Sequence, residues 1–121
     1  MATALAVDDE TVSRIVLARM LDALGFEVVQ ASDVPEAAAV MASTSFDLVV
    51  SDYLMPSGTG LDLVEGAKRA GSPFILLTGF GAKENLDDRR AKLVDAYLTK
   101  PVASSDLAIA VASCCSDNDR P

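Results

Sequence analysis

The chain has 121 residues, the size of one ordinary domain; half are apolar and 23% charged, a globular balance. Ten basic against eighteen acidic side chains leave a net charge of −8, which opposes non-specific binding to nucleic acid or an anionic membrane. There is no histidine, so histidine-liganded zinc, Ser-His-Asp or Cys-His catalysis and a histidine phosphocarrier role are excluded.

Short apolar runs alternate with longer amphipathic ones. Residues 3–7 form an apolar run that stops at Asp8. Over 11–24, Val12, Val16, Leu17, Met20, Leu21 and Leu24 recur at helical spacing, and Gly25 stands where a helix C′ residue belongs. Residues 26–31 alternate as a half-exposed edge strand does. Asp33 and Glu36 have capping-box spacing and open a helix through Val40 and Met41. Residues 46–51 read as a third strand. Leu61 and Val64 mark a third helix ending at Gly71, and 73–77 a fourth strand. Residues 83–92 are charged, with only Leu86 and Ala91 as core candidates, a weak fourth helix whose Arg89, Arg90 and Lys92 read as its solvated face. A fifth strand covers 94–98. Leu107, Ala110, Val111 and Cys114 follow at i, i+3, i+4, i+7, a final amphipathic helix. Residues 116–121 read as a polar, frayed tail.

Five strands alternating with five helices imply a parallel sheet covered on both faces, with ligands bound beyond the strands' carboxyl ends. Those ends carry Asp8-Asp9, Asp52, Thr78 and Lys100, while the second strand offers nothing ionisable. In the order 2-1-3-4-5 the polar ends converge. Three close carboxylates repel one another unless a cation sits among them. Oxygen ligands without His or Cys select a hard ion, Mg²⁺ first and Mn²⁺ as an alternative. A carboxylate can also attack phosphorus, with Lys100 and Thr78 supplying charge and a hydroxyl.

The segments Leu5-Ala6-Val7-Asp8-Asp9-Glu10, Val49-Val50-Ser51-Asp52-Tyr53-Leu54-Met55-Pro56, Leu76-Leu77-Thr78-Gly79 and Tyr97-Leu98-Thr99-Lys100-Pro101 closely resemble the receiver domains of two-component response regulators. The resemblance spans almost the whole chain. It implies a flavodoxin-like α/β fold, a (βα)5 three-layer sandwich with a parallel five-stranded sheet of order 2-1-3-4-5. It implies that Asp52 is the phosphoacceptor, that Asp9, Asp52 and the Leu54 backbone carbonyl hold Mg²⁺, and that Asp8 acts mainly through water. Lys100 would contact the phosphoryl group, and the Lys100–Pro101 peptide would be cis. Thr78 and Tyr97 would be the switch pair. The fourth helix, fifth strand and fifth helix would form the face for a downstream protein partner. Leu54 and Phe80 would flank the hydrolytic water and tune dephosphorylation; both are bulky and apolar, which predicts slow hydrolysis. The phosphodonor would be a histidine kinase or histidine phosphotransfer protein.

On this reading residues 1–121 are a single receiver domain without an output domain. It is a signalling phosphoacceptor rather than an enzyme, with no direct nucleic-acid contact and no membrane insertion. Two alternatives differ in class. A small haloacid-dehalogenase-like phosphatase uses similar groups, but carries a second Asp two residues past its nucleophile, where this chain has Leu54. An inactive pseudo-receiver would not need Asp8, Asp9, Asp52, Thr78 and Lys100. The first nine residues lack a basic n-region, and the adjacent Cys114 and Cys115 make a poor staple. A cytoplasmic location is expected.

Overall fold

The computed structural model describes residues 2–79 and 88–115. Its main sheet has five strands: β1 (Thr3–Val7), β2 (Glu27–Ala31), β3 (Leu48–Asp52), β4 (Phe74–Thr78) and β5 (Ala96–Thr99). All neighbours pair in parallel, in the order β2-β1-β3-β4-β5. Four α-helices accompany them among the described residues: α1 (Thr11–Ala23), α2 (Val34–Ser43), α3 (Leu61–Arg69) and α4 (Ser104–Cys115). Two-residue strands, Leu54–Met55 and Gly58–Thr59, form a separate small hairpin between β3 and α3.

The period-2 pleat explains the near-continuous apolar strands. Leu5, Val7, Val49, Phe74 and Leu76 face one way, onto Ala37 of α2 and Leu61, Val64 and Ala67 of α3. Ala4, Ala6, Leu48, Val50, Ile75 and Leu77 face the other, onto Leu17 and Leu21 of α1 and Leu107, Ala110 and Val111 of α4. A sheet buried on both faces can bring polar groups to the surface only at its ends. That restriction gathers the chemistry at one rim.

Several elements depart from expectation. β2 is the half-exposed edge strand expected, with Glu27 and Gln30 exposed and Ala31 buried, but its faces do not alternate cleanly: Val28 packs on one core layer and Val29 on the other. In α1 the buried residues are Leu17, Ala18 and Leu21, whereas Val12, Val16 and Leu24 are 71%, 46% and 40% exposed. The apolar arc of that helix is wider than the strip the sheet can cover. α1 does end as expected, with Gly25 at φ +99°, a conformation that favours glycine. The charged stretch expected as a helix over 83–92 falls partly outside the described residues. Its described end is a 3₁₀ turn, Arg89–Leu93, capped by Asp88, with no buried residue to anchor it.

The capping of α2 is also displaced. Asp33 accepts from the Glu36 amide at 2.7 Å. Glu36 does not reach back to Asp33; it accepts instead from the Ser32 amide and hydroxyl at 2.6 and 2.9 Å. These bonds, the backbone one foremost, hold the Glu36 carboxyl below its ordinary range. Asp33→Ala should lower stability by about 1 kcal/mol, read as a shift in the urea midpoint at unchanged slope.

Candidate functional site at the carboxyl ends of the strands

β1 runs straight into Asp8, whose amide donates to the Ala31 carbonyl at 3.1 Å, extending the β1–β2 pairing by one residue. Asp8 is fully buried, so it is no solvated helix cap. One carboxylate oxygen accepts from the Glu10 amide at 3.0 Å and the other from Lys100 Nζ at 3.1 Å. Asp9 is exposed. Asp52, at the end of β3, is 9% exposed. It accepts from the Tyr53 amide at 3.0 Å and from Lys100 Nζ at 3.3 Å. One ammonium therefore spans two carboxylates from different strands. Asp8, Asp9 and Asp52 each place an oxygen within 4.8 Å of the others. This all-oxygen set, with one member exposed toward solvent, is compatible with a hard divalent ion.

The charges respond to that crowding. Burial raises the Asp52 carboxyl above its ordinary pKa; Lys100 opposes the rise and Asp8 adds to it. Burial alone would lower the Lys100 ammonium. The attraction of Asp52, together with the hydrogen bond and charge of Asp8, outweighs burial and holds it above normal.

The remaining expected residues are not all at the rim. Thr78 ends β4 and is 1% exposed. Its carbonyl accepts from the Lys100 amide at 2.8 Å, and the Lys100–Pro101 peptide is cis. Tyr97, on β5, packs against the core layer of α2 and α3, and its hydroxyl donates to the Ala91 carbonyl. Leu54 lies two residues past Asp52, its side chain 64% exposed. Phe80 lies outside the described residues, as do most of the expected fourth helix and the tail 116–121. Cys114 and Cys115 are partly buried, packed on the α1–α4 layer.

Sequence reasoning missed two supporting arginines. Arg14 Nη1 donates to the Asp8 carbonyl at 3.0 Å and Arg14 Nε to Gln30 at 3.2 Å, fastening the start of α1 to the rim. Arg90, read as solvated, instead pairs with Asp88 and with Asp62 of α3. No local spacing announces a partner 28 residues away.

A family model, the response regulator receiver domain, matches residues 4–112. The chain belongs to that family. This receiver domain is 32% identical over 109 residues to the phosphate regulon transcriptional regulatory protein PhoB of Pseudomonas aeruginosa, covering 87% of this chain and 48% of that protein. The chain spans about half the length of the curated relatives it matches. A receiver domain protein from Clostridium thermocellum superposes with a TM-score of 0.86 at 30% identity, covering 98% of this chain and 97% of that one. The response regulator TrrA of Thermotoga maritima, in complex with Mg²⁺-BeF, does so with a TM-score of 0.81 at 30% identity, covering 92% and 96%. The domain therefore has the two-component receiver fold expected of it. Among the described residues no helix is long and apolar enough to cross a membrane.

Proposed function

We propose that this receiver domain accepts a phosphoryl group on Asp52, in a reaction that depends on Mg²⁺, from a phosphohistidine on a histidine kinase or histidine phosphotransfer protein. The observation that carries this is the convergence of Asp8, Asp9 and Asp52 with Lys100 between two of them. The relative that holds Mg²⁺-BeF supports the choice of ion. Asp9, Asp52 and the Leu54 carbonyl would hold Mg²⁺, with Asp8 acting through water. The ion would neutralise charge on the phosphoryl oxygens.

An Asp52 carboxylate oxygen attacks phosphorus as the donor's P–N bond breaks, and the imidazole leaves with the bonding pair and takes up a proton. Lys100 balances the phosphoryl charge, and the Thr78 hydroxyl donates to a phosphoryl oxygen. Because Tyr97 is bonded to the 3₁₀ turn, a movement of Thr78 would be felt there. The face around that turn, β5 and α4 would then meet a protein partner. The domain catalyses only its own modification and hydrolysis, which the apolar Leu54 slows because it cannot orient water. The reading carries a cytoplasmic location with it.

Incubation with a small acyl phosphate and Mg²⁺, followed by intact mass, should show one phosphoryl adduct, absent with chelator and absent in Asp52→Asn. Sustained phosphate release without an adduct would favour the phosphatase alternative. No adduct on a protein that binds Mg²⁺ would favour the pseudo-receiver.

A further inference from the structure

The 3₁₀ turn is tied to the hairpin by a continuous set of bonds. Arg90 grips Asp88 through Nε at 3.0 and 3.1 Å and through Nη2 at 2.7 Å. Its remaining terminal nitrogen, Nη1, reaches across to Asp62 Oδ1 at 2.8 Å. The other Asp62 oxygen accepts from the Thr59 amide at 3.0 Å. That oxygen lies 2.6 Å from where a β-carbon on Gly58 would stand, so the carboxylate is seated directly on the hairpin. Thr59 in turn pairs with Leu54, and Gly58 with Met55.

We propose that Arg90 is a positioning residue for the metal-holding loop: through Asp62 and Thr59 it fixes the hairpin that carries the Leu54 carbonyl, and so couples the 3₁₀ turn to the ion. The inference rests on the reading above for its metal, but its geometry is independent of that reading. Planarity is what permits the bridge, since one guanidinium presents separate edges to two carboxylates where an ammonium offers a single point of charge. The bonds to Arg90, its side chain foremost, hold Asp88 at about 2, and the Arg90 side chain likewise leads the lowering of Asp62. Both carboxylates are therefore ionised at neutral pH. The next residue of the same turn, Ala91, receives the Tyr97 hydroxyl on its carbonyl. The turn thus stands between the aromatic ring and the hairpin. By linkage, an ion that orders the hairpin must tighten the Arg90–Asp62 contact to the same degree that the contact tightens the ion.

The test uses the whole chain, with Mg²⁺ as the only added ligand and two readouts from amide NMR: exchange of the Thr59 amide without metal, and Mg²⁺ affinity by titration. Arg90 and Asp62 are partly exposed, so Arg90→Gln and Asp62→Asn should fold. Arg90→Gln should speed Thr59 exchange and weaken Mg²⁺ about two- to fivefold, the range of a partly exposed ion pair. Arg90→Lys should not rescue it, and the double variant should be no worse than Asp62→Asn alone. Raising the salt should shrink the difference from the parent. Unchanged Thr59 exchange in Arg90→Gln, or unchanged Mg²⁺ affinity beside a parent that binds normally, overturns this inference alone. A parent that takes no Mg²⁺ overturns the functional reading and the coupling together.

Discussion

Replacing Gly60 with alanine should destabilise the domain by about 3 kcal/mol, the upper end of what overpacking a tight site usually costs, and lower its melting temperature by roughly 10 °C. The reason is proximity. Gly60 has ordinary helical angles, φ −59° and ψ −25°, so its backbone conformation is open to any residue. A β-carbon there would lie 2.5 Å from the Asp52 carbonyl oxygen, 2.8 Å from Leu76 Cδ1 and 2.8 Å from Ser51 Oγ. The nearest of these is main chain and cannot rotate away. Ser51 Oγ is itself fixed, donating to the Asp52 carbonyl at 2.9 Å. Gly60 also donates its amide to the Tyr53 carbonyl at 2.8 Å. Relief would have to come from α3 withdrawing from β3, which would carry Asp52 out of register with Asp8 and Lys100. Gly25→Ala is the matched control. Gly25 has φ +99° but nothing within 4 Å of an added β-carbon, so it should lose about 1 kcal/mol from backbone strain alone and leave Mg²⁺ binding intact. Thermal melts and Mg²⁺ titrations of the two variants separate the mechanisms. A Gly60→Ala protein that melts with the parent would show that α3 is not pinned to the rim.

The rim was legible because it depends on features that local sequence records. Each of these strands announces its end where an apolar run meets a polar residue, and parallel pairing sends those ends to one edge, so the sequence pattern already groups Asp8, Asp52, Thr78 and Lys100. What escaped was whatever depends on distance across the fold. Val12 and Val16 share the helical spacing of Leu17 and Leu21, and spacing alone cannot say how wide a strip the sheet will cover. Arg90 looked solvated because its partner, Asp62, belongs to another helix. Glu36 found Ser32 rather than Asp33, a shift of one residue that a capping pattern does not resolve. The 3₁₀ turn was marked by its poverty in apolar residues, but its actual form is set by Asp88, Arg90 and Tyr97 acting together.

The charge pattern at the rim sets Asp52 and Lys100 against each other, and substitutions at the two should move stability in opposite directions. Asp52 has its pKa raised by burial, against the pull of Lys100 and with the push of Asp8. An acid more basic in the folded chain favours folding only while protonated. That contribution is present below the ordinary value of 3.8 and is lost as pH rises through the folded value. At neutral pH and without metal, Asp52→Asn should therefore raise the melting temperature, by about 3–6 °C if the relief is ~1 kcal/mol. The gain should fade as the pH falls toward 4. Lys100 has a raised pKa as well, so its contribution is fully present below its ordinary 10.5 and intact at pH 7. Lys100→Met removes it and leaves the fully buried Asp8 facing Asp52 with no cation between them. Breaking a buried pair costs about 3–5 kcal/mol; Lys100 keeps 27% of its side chain exposed, so the expected loss is smaller, about 2 kcal/mol. Saturating Mg²⁺ should narrow that deficit by binding the folded state, while doing little for Asp52→Asn, which lacks one of the three carboxylates. Melting curves of the three proteins from pH 4 to 8, with Mg²⁺ and with chelator, decide the matter. If Asp52→Asn destabilises the metal-free protein at pH 7, then Lys100 outweighs burial, and the rim is a settled ion pair rather than a site held open for a cation.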